Sequence, residues 1–315
     1  RDGEGQTTRR WVLAGLAGLP LAAFPGQRVR AAADESGLDR RRIPGTETRI
    51  PAVGMGTWIT FNVGDVTALR KQRAQVLRTF FERGGGMVDS SPMYGSSEEV
   101  MGYCLSRLED EGVATSGLVS ATKVWTPTGG DADSQMAESR RLWGLSAFDV
   151  MQVHNLVDWR AHLPALRDAK AAGLVRYVGV TTSHGRRHGE LEQLMTSEPL
   201  DFVQLTYNIL DREAEARLLP LAAERGIGVI VNRPFRRKAL FHAFADHPLP
   251  DWAGEIDCAN WAQFFLKFIL GHPAVTCAIP ATTQVAHMRE NMGALHGRLP
   301  DADLRRRMIA YVESL

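Results

Sequence analysis

Residues 148–180 read FDVMQVHNLVDWRAHLPALRDAKAAGLVRYVGV, and this stretch holds a complete strand–helix–strand unit. An apolar, β-branched run at 148–153 ends in His154. An amphipathic stretch follows at 161–172, with Gly173 just behind it, where a helix needs a left-handed last residue. A second apolar run at 175–180 completes the unit. Two such runs separated by one helix read as parallel strands joined by a crossover.

The same rhythm extends in both directions. Further apolar runs stand at 52–55, 87–90, 118–122, 202–205, 228–231 and 275–279. Helical stretches lie between them, as at 68–83 and 214–225, and Gly84 and Gly226 close those two. The connection after Val231 is longer, from Asn232 to Glu255, and a helix over 256–270 follows it. Eight strand–helix units in series predict an α/β fold, a (β/α)8 TIM barrel, for which about 250 residues is usual. The segment from Ile43 to Ile50, with Pro44-Gly45 inside it, reads as an N-terminal β-hairpin plugging the barrel's bottom. The rival architecture is an open, doubly wound sheet, which binds a dinucleotide through a glycine-rich first turn. Here that turn is Gly54-Met55-Gly56-Thr57-Trp58 and lacks the third glycine.

Composition bounds the function. With 44% hydrophobic and 23% charged residues, a chain of 315 residues can bury a large core. A formal net charge of +1 provides no field for nucleic acid. Cys104, Cys258 and Cys277 show no paired metal spacing, and three is an odd number for a disulfide framework. The first 33 residues differ from the rest. Arg9-Arg10 precedes an apolar run from Trp11 to Phe24, and Ala31-Ala32-Ala33 closes the segment. Basic start, apolar middle and small-residue end predict a twin-arginine signal over residues 1–33, with the barrel domain at 34–315. Its partner is then the twin-arginine export machinery, and its destination the periplasm or the exterior. The run is too short for a stable membrane anchor. The bland reading, a buried N-terminal helix, is opposed by the glycines and prolines in the segment.

In a barrel, catalytic groups sit where strands end and loops begin. Asp89 and Tyr94 follow the second strand, Lys123 ends the third and His154 ends the fourth. Alone, each has an ordinary reading: a turn former, a packed ring, a surface charge, a structural imidazole. Together on one rim they make an acid site. Reduction of a carbonyl needs hydride on carbon and a proton on oxygen. Tyr94 is the candidate donor, but a phenol is a weak acid, with a pKa of about 10. An ammonium at Lys123 is expected to lower that value, Asp89 to hold Lys123 charged, and His154 to orient the carbonyl. The hydride belongs to a cofactor.

At these residues the sequence resembles the aldo-keto reductase family, over nearly all of residues 43–297. That family's tetrad is Asp, Tyr, Lys and His at these strand ends, with the first two five apart, as Asp89 and Tyr94 are. Residues 52–58, 173–180, Gln204 with Tyr207-Asn208, and 272–280 resemble other family strands. The resemblance implies NAD(P)H-dependent reduction of an aldehyde or ketone. NADP(H) is the family default, with NADH a competitor in this chain. It implies a cofactor site formed by Gly56, Thr57, Trp58, Asp89, Thr181, Thr182, Gln204, Asn232, Arg233, Pro234, Phe235, Thr282, Thr283, His287, Glu290 and Asn291. It also implies a substrate pocket walled by Trp58, Tyr94, Trp125 and His154, with the 232–255 loop beside them.

The departures bear on cofactor choice. Thr181-Thr182 stand where the family has Ser-Asn, and Asn232 stands where it often stacks an aromatic ring, leaving Phe235 or Trp58 to shield the nicotinamide. Ala281 and His287 replace the Lys and Arg that usually hold a 2′-phosphate. Three patterns have two readings. His184 and His188, four apart, have the spacing of a metal pair, but Gly185 between them and the missing third ligand favour a solvated loop, and no metal is expected. Arg233, Arg236, Arg237 and Lys238 either meet the cofactor's pyrophosphate or form an exposed basic turn. Lys123 is either the tetrad's cation or a Schiff-base amine. The rival function is a nucleotide-binding sensor or accessory subunit with little turnover.

Overall fold

Consecutive parallel strands must return over a face of their sheet, and the chain does this until the sheet meets itself. The computed structural model describes residues 37–127 and 130–315; the segment read as an export signal, 1–33, lies outside the described residues. A two-stranded antiparallel hairpin comes first, β1 (Arg40–Arg42) and β2 (Arg49–Pro51). The barrel strands follow: β3 (Met55–Gly56), β4 (Met87–Asp89), β5 (Val119–Val124), β6 (Phe148–Val153), β7 (Val175–Thr181), β8 (Phe202–Thr206), β9 (Gly228–Asn232) and β10 (Cys277–Ala278). They pair in parallel in strict sequence order. A parallel bridge from Val53 to Ala278 joins last strand to first, with Gly54 N–H donating to Ala278 O at 2.8 Å. The expected barrel is therefore present.

Helices α1 (Thr67–Glu82), α2 (Ser97–Asp110), α3 (Ala132–Trp143), α4 (Trp159–Ala171), α5 (His188–Ser197) and α6 (Leu218–Arg225) cover the outside. After β9 come α7 (Ala239–Phe244) and α8 (Trp261–Leu270), and after β10 come α9 (Val285–Gly293) and α10 (Ala302–Glu313). Gly84, Gly173 and Gly226 take positive φ behind their helices, as the helix ends required.

Two apolar layers form. The larger lies between sheet and helices, with Leu77, Phe80, Val124, Leu166, Leu205 and Phe268 among its members. The smaller fills the barrel's lower interior. There Ile43 and Ile50 of the hairpin pack on Met87, Val150, Tyr177, Phe202, Ile230 and Cys277, so the hairpin is the bottom plug.

Two elements differ from expectation. The helix over 256–270 is broken: a 3-10 segment, Asp251–Ile256, ends at Asp257 in a left-handed conformation, and α8 starts afresh at Trp261. Asn260 sets the new start by accepting Gln263 N–H at 3.0 Å. The helix over 214–225 likewise begins as a 3-10 turn, Glu213–Glu215, and only Leu218–Arg225 is α. Strands 52–55 and 275–279 are regular over only two residues each, Met55–Gly56 and Cys277–Ala278, and single backbone bonds continue their pairing, Ala278 N–H to Ala52 O at 2.9 Å and Gly56 N–H to Pro280 O at 3.0 Å.

Candidate active site

The chemistry-bearing residues all stand at one rim, because each follows or ends its own strand. Asp89 closes β4, Lys123 is next to last in β5, His154 follows β6, Thr181 closes β7 and Asn232 closes β9. Gln204 sits within β8. A cavity of 440 Å³ opens over them.

Lys123 Nζ donates to Asp89 Oδ2 at 2.5 Å and to Ser90 O at 2.7 Å, and it lies 5.0 Å from the centre of the Tyr94 ring. Both members of the ion pair are buried, Lys123 at 0% and Asp89 at 2% side-chain exposure. Burial opposes a charge on Lys123, yet Asp89 and Tyr94 together outweigh it and hold the ammonium above its ordinary value. With two of its three donors given to Asp89 and Ser90, and outside the cavity lining, Lys123 is placed as the cation of an ion pair and not as an exposed amine.

Tyr94 lines the cavity floor, held by a short 3-10 turn, Pro92–Tyr94, that Ser91 caps. Its hydroxyl is not the easier acid expected from the sequence. Burial raises its pKa by more than Lys123 lowers it, and Asp89 adds to the rise. His154 meets Tyr94 edge to face, ring centres 5.5 Å apart. Burial first, and then Lys123, hold its pKa well below the ordinary 6.5, so the ring is neutral. Ser91 Oγ accepts Met93 N–H at 3.1 Å and lies 2.8 Å from His154 Nδ1. A serine hydroxyl has one donor and two acceptor sites, so this contact serves either tautomer of the neutral ring; with Ser91 donating to Nδ1, the ring proton stands on Nε2, where it can meet a carbonyl oxygen.

The cofactor-side residues divide. Gly56, Thr57, Trp58, Asp89, Thr181, Thr182, Gln204, Asn232, Arg233, Pro234 and Phe235 line the cavity, as does Ala281. Thr181 Oγ1 accepts Asn155 N–H at 3.0 Å, whereas Thr182 Oγ1 is buried without a partner. Two guanidinium nitrogens of Arg233, Nε and Nη1, are buried and unpartnered too. Orphaned donors of this kind fit a ligand carrying amide and phosphate oxygens. Thr282, Thr283, His287, Glu290 and Asn291 do not line this cavity; they stand at and along α9, where Thr282 Oγ1 accepts Gln284 N–H at 3.1 Å.

Asn232 replaces a stacking ring with hydrogen bonds. Its Nδ2 donates to Thr182 O at 2.9 Å and to Gln204 Oε1 at 3.3 Å, and its Oδ1 accepts from Thr206 Oγ1 at 2.7 Å. Phe235 turns to Phe241 at 4.7 Å between centres, inside an aromatic cluster. Trp58 carries the Arg237 guanidinium 4.4 Å from its ring centre, which links the loops after β3 and β9. Of the basic cluster, Arg233 and Arg237 line the cavity, while Arg236 pairs with Asp211 at 3.0 Å.

One expected wall residue stands elsewhere, and the loop reading of the two histidines holds. Trp125 is not part of the cavity wall. Gln135 clamps its backbone on both sides, accepting Trp125 N–H at 2.6 Å and donating to Trp125 O at 2.8 Å. His184 and His188 form no metal pair: His184 sits in a loop at φ 63°, His188 opens α5, and no metal-ligating cluster occurs among the described residues. The sequence reading also missed Ser91 and Gln152. Gln152 had a signal, being a polar residue two before His154 on the inward face of an apolar strand.

A barrel with a buried Lys–Asp pair, a neutral histidine and a tyrosine under one cavity defines a carbonyl oxidoreductase. The aldo/keto reductase family model matches residues 52–310, and the chain belongs to that family. It is 26% identical over 263 residues to the methylglyoxal reductase YeaE of Escherichia coli K12, covering 82% of this chain and 90% of that one. It is 26% identical over 321 residues to an NADH-specific methylglyoxal reductase of the same organism, covering 82% and 94%. Its fold is similar to an aldo/keto reductase from Klebsiella pneumoniae solved with NADP and acetate, with a TM-score of 0.70, 22% identity and 86% and 95% coverage. The protein is an oxidoreductase that reduces carbonyl groups with a nicotinamide cofactor.

Proposed function

We propose that the protein reduces an aldehyde or ketone to an alcohol with Tyr94 as proton donor, with NADPH preferred over NADH, after export from the cytoplasm. The observation that carries the first part is the connected set Asp89–Lys123–Tyr94 beside a neutral His154. When bound, the cofactor supplies the hydride. The residues of the chain do the rest. His154 Nε2–H holds the carbonyl oxygen, and Tyr94 passes its proton to that oxygen. The Lys123 charge stabilises the negative charge that develops on the phenol. Asp89 and Ser90 keep Lys123 in place. Thr182, Gln204 and Asn232 would hold the nicotinamide amide, and Arg233 with Arg237 the phosphates. A sensor without turnover has no need of this complete acid site.

NADPH is the family default, and Arg233, with two buried nitrogens unpartnered, gives its phosphates somewhere to bind. Yet Ala281 and His287, both exposed, bring no fixed cation to the 2′-phosphate, so the preference is small. Ala281→Lys with His287→Arg is expected to raise the NADPH-over-NADH affinity ratio roughly tenfold or more, the worth of one or two charge-assisted bonds. Titration of both cofactors by fluorescence measures the ratio. An unchanged ratio would mean that the arginines after β9 already hold that phosphate.

Export rests on the sequence of residues 1–33, with the twin-arginine machinery as partner. Arg9→Lys/Arg10→Lys is expected to leave uncleaved protein in the cytoplasm, while the parent chain reaches the periplasm. Cell fractionation that finds both in the cytoplasm rejects the export reading. Among the described residues no helix is long and apolar enough to cross a membrane.

A further inference from the structure

Asp89 has two oxygens and only one cation. Oδ2 takes the Lys123 ammonium. Oδ1 accepts from two amides, Gln152 Nε2 at 3.0 Å and Gln204 Nε2 at 3.0 Å. The two glutamines are tied to each other as well, Gln204 Nε2 donating to Gln152 Oε1 at 3.2 Å. They differ in one respect. Gln204 lines the cavity and its far end contacts Asn232, so a ligand there competes for it. Gln152 is fully buried and does not reach the cavity. It stands opposite Lys123 in the β5–β6 register and opposite Gly179 in the β6–β7 register.

We propose that Gln152 is a positioning residue of the acid site: the permanent donor that keeps the Asp89 carboxyl turned toward Lys123 whatever Gln204 is doing. A buried carboxylate left short of donors either takes a proton or rotates toward another. Either change withdraws it from Lys123, and the charge beneath Tyr94 is then no longer fixed. Gln152 does not line the cavity, and its one link to the cofactor side is the bond it accepts from Gln204, so its main effect falls on the rate of proton delivery.

Two substitutions of similar volume test this. Gln152→Met keeps the packing and removes the donor. It is expected to lower the single-turnover rate about 10- to 100-fold, the scale of a misplaced catalytic group, with cofactor affinity within about threefold of the parent. Gln152→Glu tests the donor directly. The introduced carboxyl replaces an amide bonded to Asp89 on β4 and set opposite Lys123 on β5; Tyr94 after β4 and His154 after β6 stand beside that ion pair, Cys277 on β10 interacts with Asp89, and β7 and β8 present Gly179 and Gln204, without charge. Two carboxyls at hydrogen-bond distance share one proton. While protonated, the new group donates O–H to Asp89 Oδ1 as the amide does, so this variant is expected to work at the low end of its pH range. Its rate should fall as pH rises and that proton leaves, whereas the Met variant stays slow at every pH. A Met variant that folds and turns over like the parent overturns the proposal. So does a Glu variant with the parent's pH profile, the deciding measurement if the Met variant does not fold. An affinity loss equal to the rate loss also overturns it, since the effect would then lie in binding.

Discussion

Tyr94→Phe is expected to lose about 10²–10⁴ of the carbonyl-reduction rate, the usual range for removing a general acid, while binding cofactor as the parent does. Only a hydroxyl is lost, and the ring keeps its contact with His154. The pH dependence of the parent follows from the same site. The donor must be protonated, and burial puts the Tyr94 pKa above the ordinary 10.0. The rate should therefore hold through neutral and mildly alkaline pH and fall only above about pH 10. On the acid side His154 must be neutral, and its pKa lies well below 6.5, so no loss is expected near neutrality. Single-turnover mixing across pH measures both limbs. An alkaline limb near pH 8 would show the lysine overcoming burial, and near-normal turnover in Tyr94→Phe would remove tyrosine from the mechanism.

Lys123→Met is expected to damage rate and stability together. It leaves the Asp89 carboxylate buried at 2% exposure with glutamine donors only. Breaking a buried pair from one side typically costs about 3–5 kcal/mol. Tyr94 also loses the one neighbour that lowers its pKa, which leaves a still weaker acid. The two effects separate in a cycle. Adding Asp89→Asn to Lys123→Met removes the stranded charge and should recover most of the stability but none of the rate. Urea denaturation beside single-turnover kinetics reads both. A single Lys123→Met variant as stable as the parent would contradict the tight pair seen here.

The barrel and its tetrad were legible because they rest on local signals. Eight apolar runs at regular spacing give the strands, and a strand's end fixes which rim its next residue occupies. What was not legible depends on competition between neighbours far apart in sequence. Lys123 and burial act on Tyr94 in opposite directions, and only their distances and solvent exposure decide the sign. Trp125 sits at a strand end as His154 does, yet its backbone is bonded to Gln135 of α3 and it does not line the cavity. Asp257 breaks a helix that the apolar spacing would have continued, since a left-handed residue followed by an Asn cap leaves no mark in hydrophobic periodicity.

The plug and the closing bridge set a constraint on timing. The hairpin is synthesised before any barrel strand, but its seat is lined by residues from β4 through β10. Val53 has its bridge partner only in Ala278, Asp39 N–H bonds Leu295 O at 2.8 Å, and Arg41 reaches Leu270 O at 2.8 Å. A nascent chain therefore carries its first strands without a home until β10 and the segment behind it have been made. Their apolar side chains must wait, and the final closure bears the loop-closure cost of contacts that span almost the entire domain.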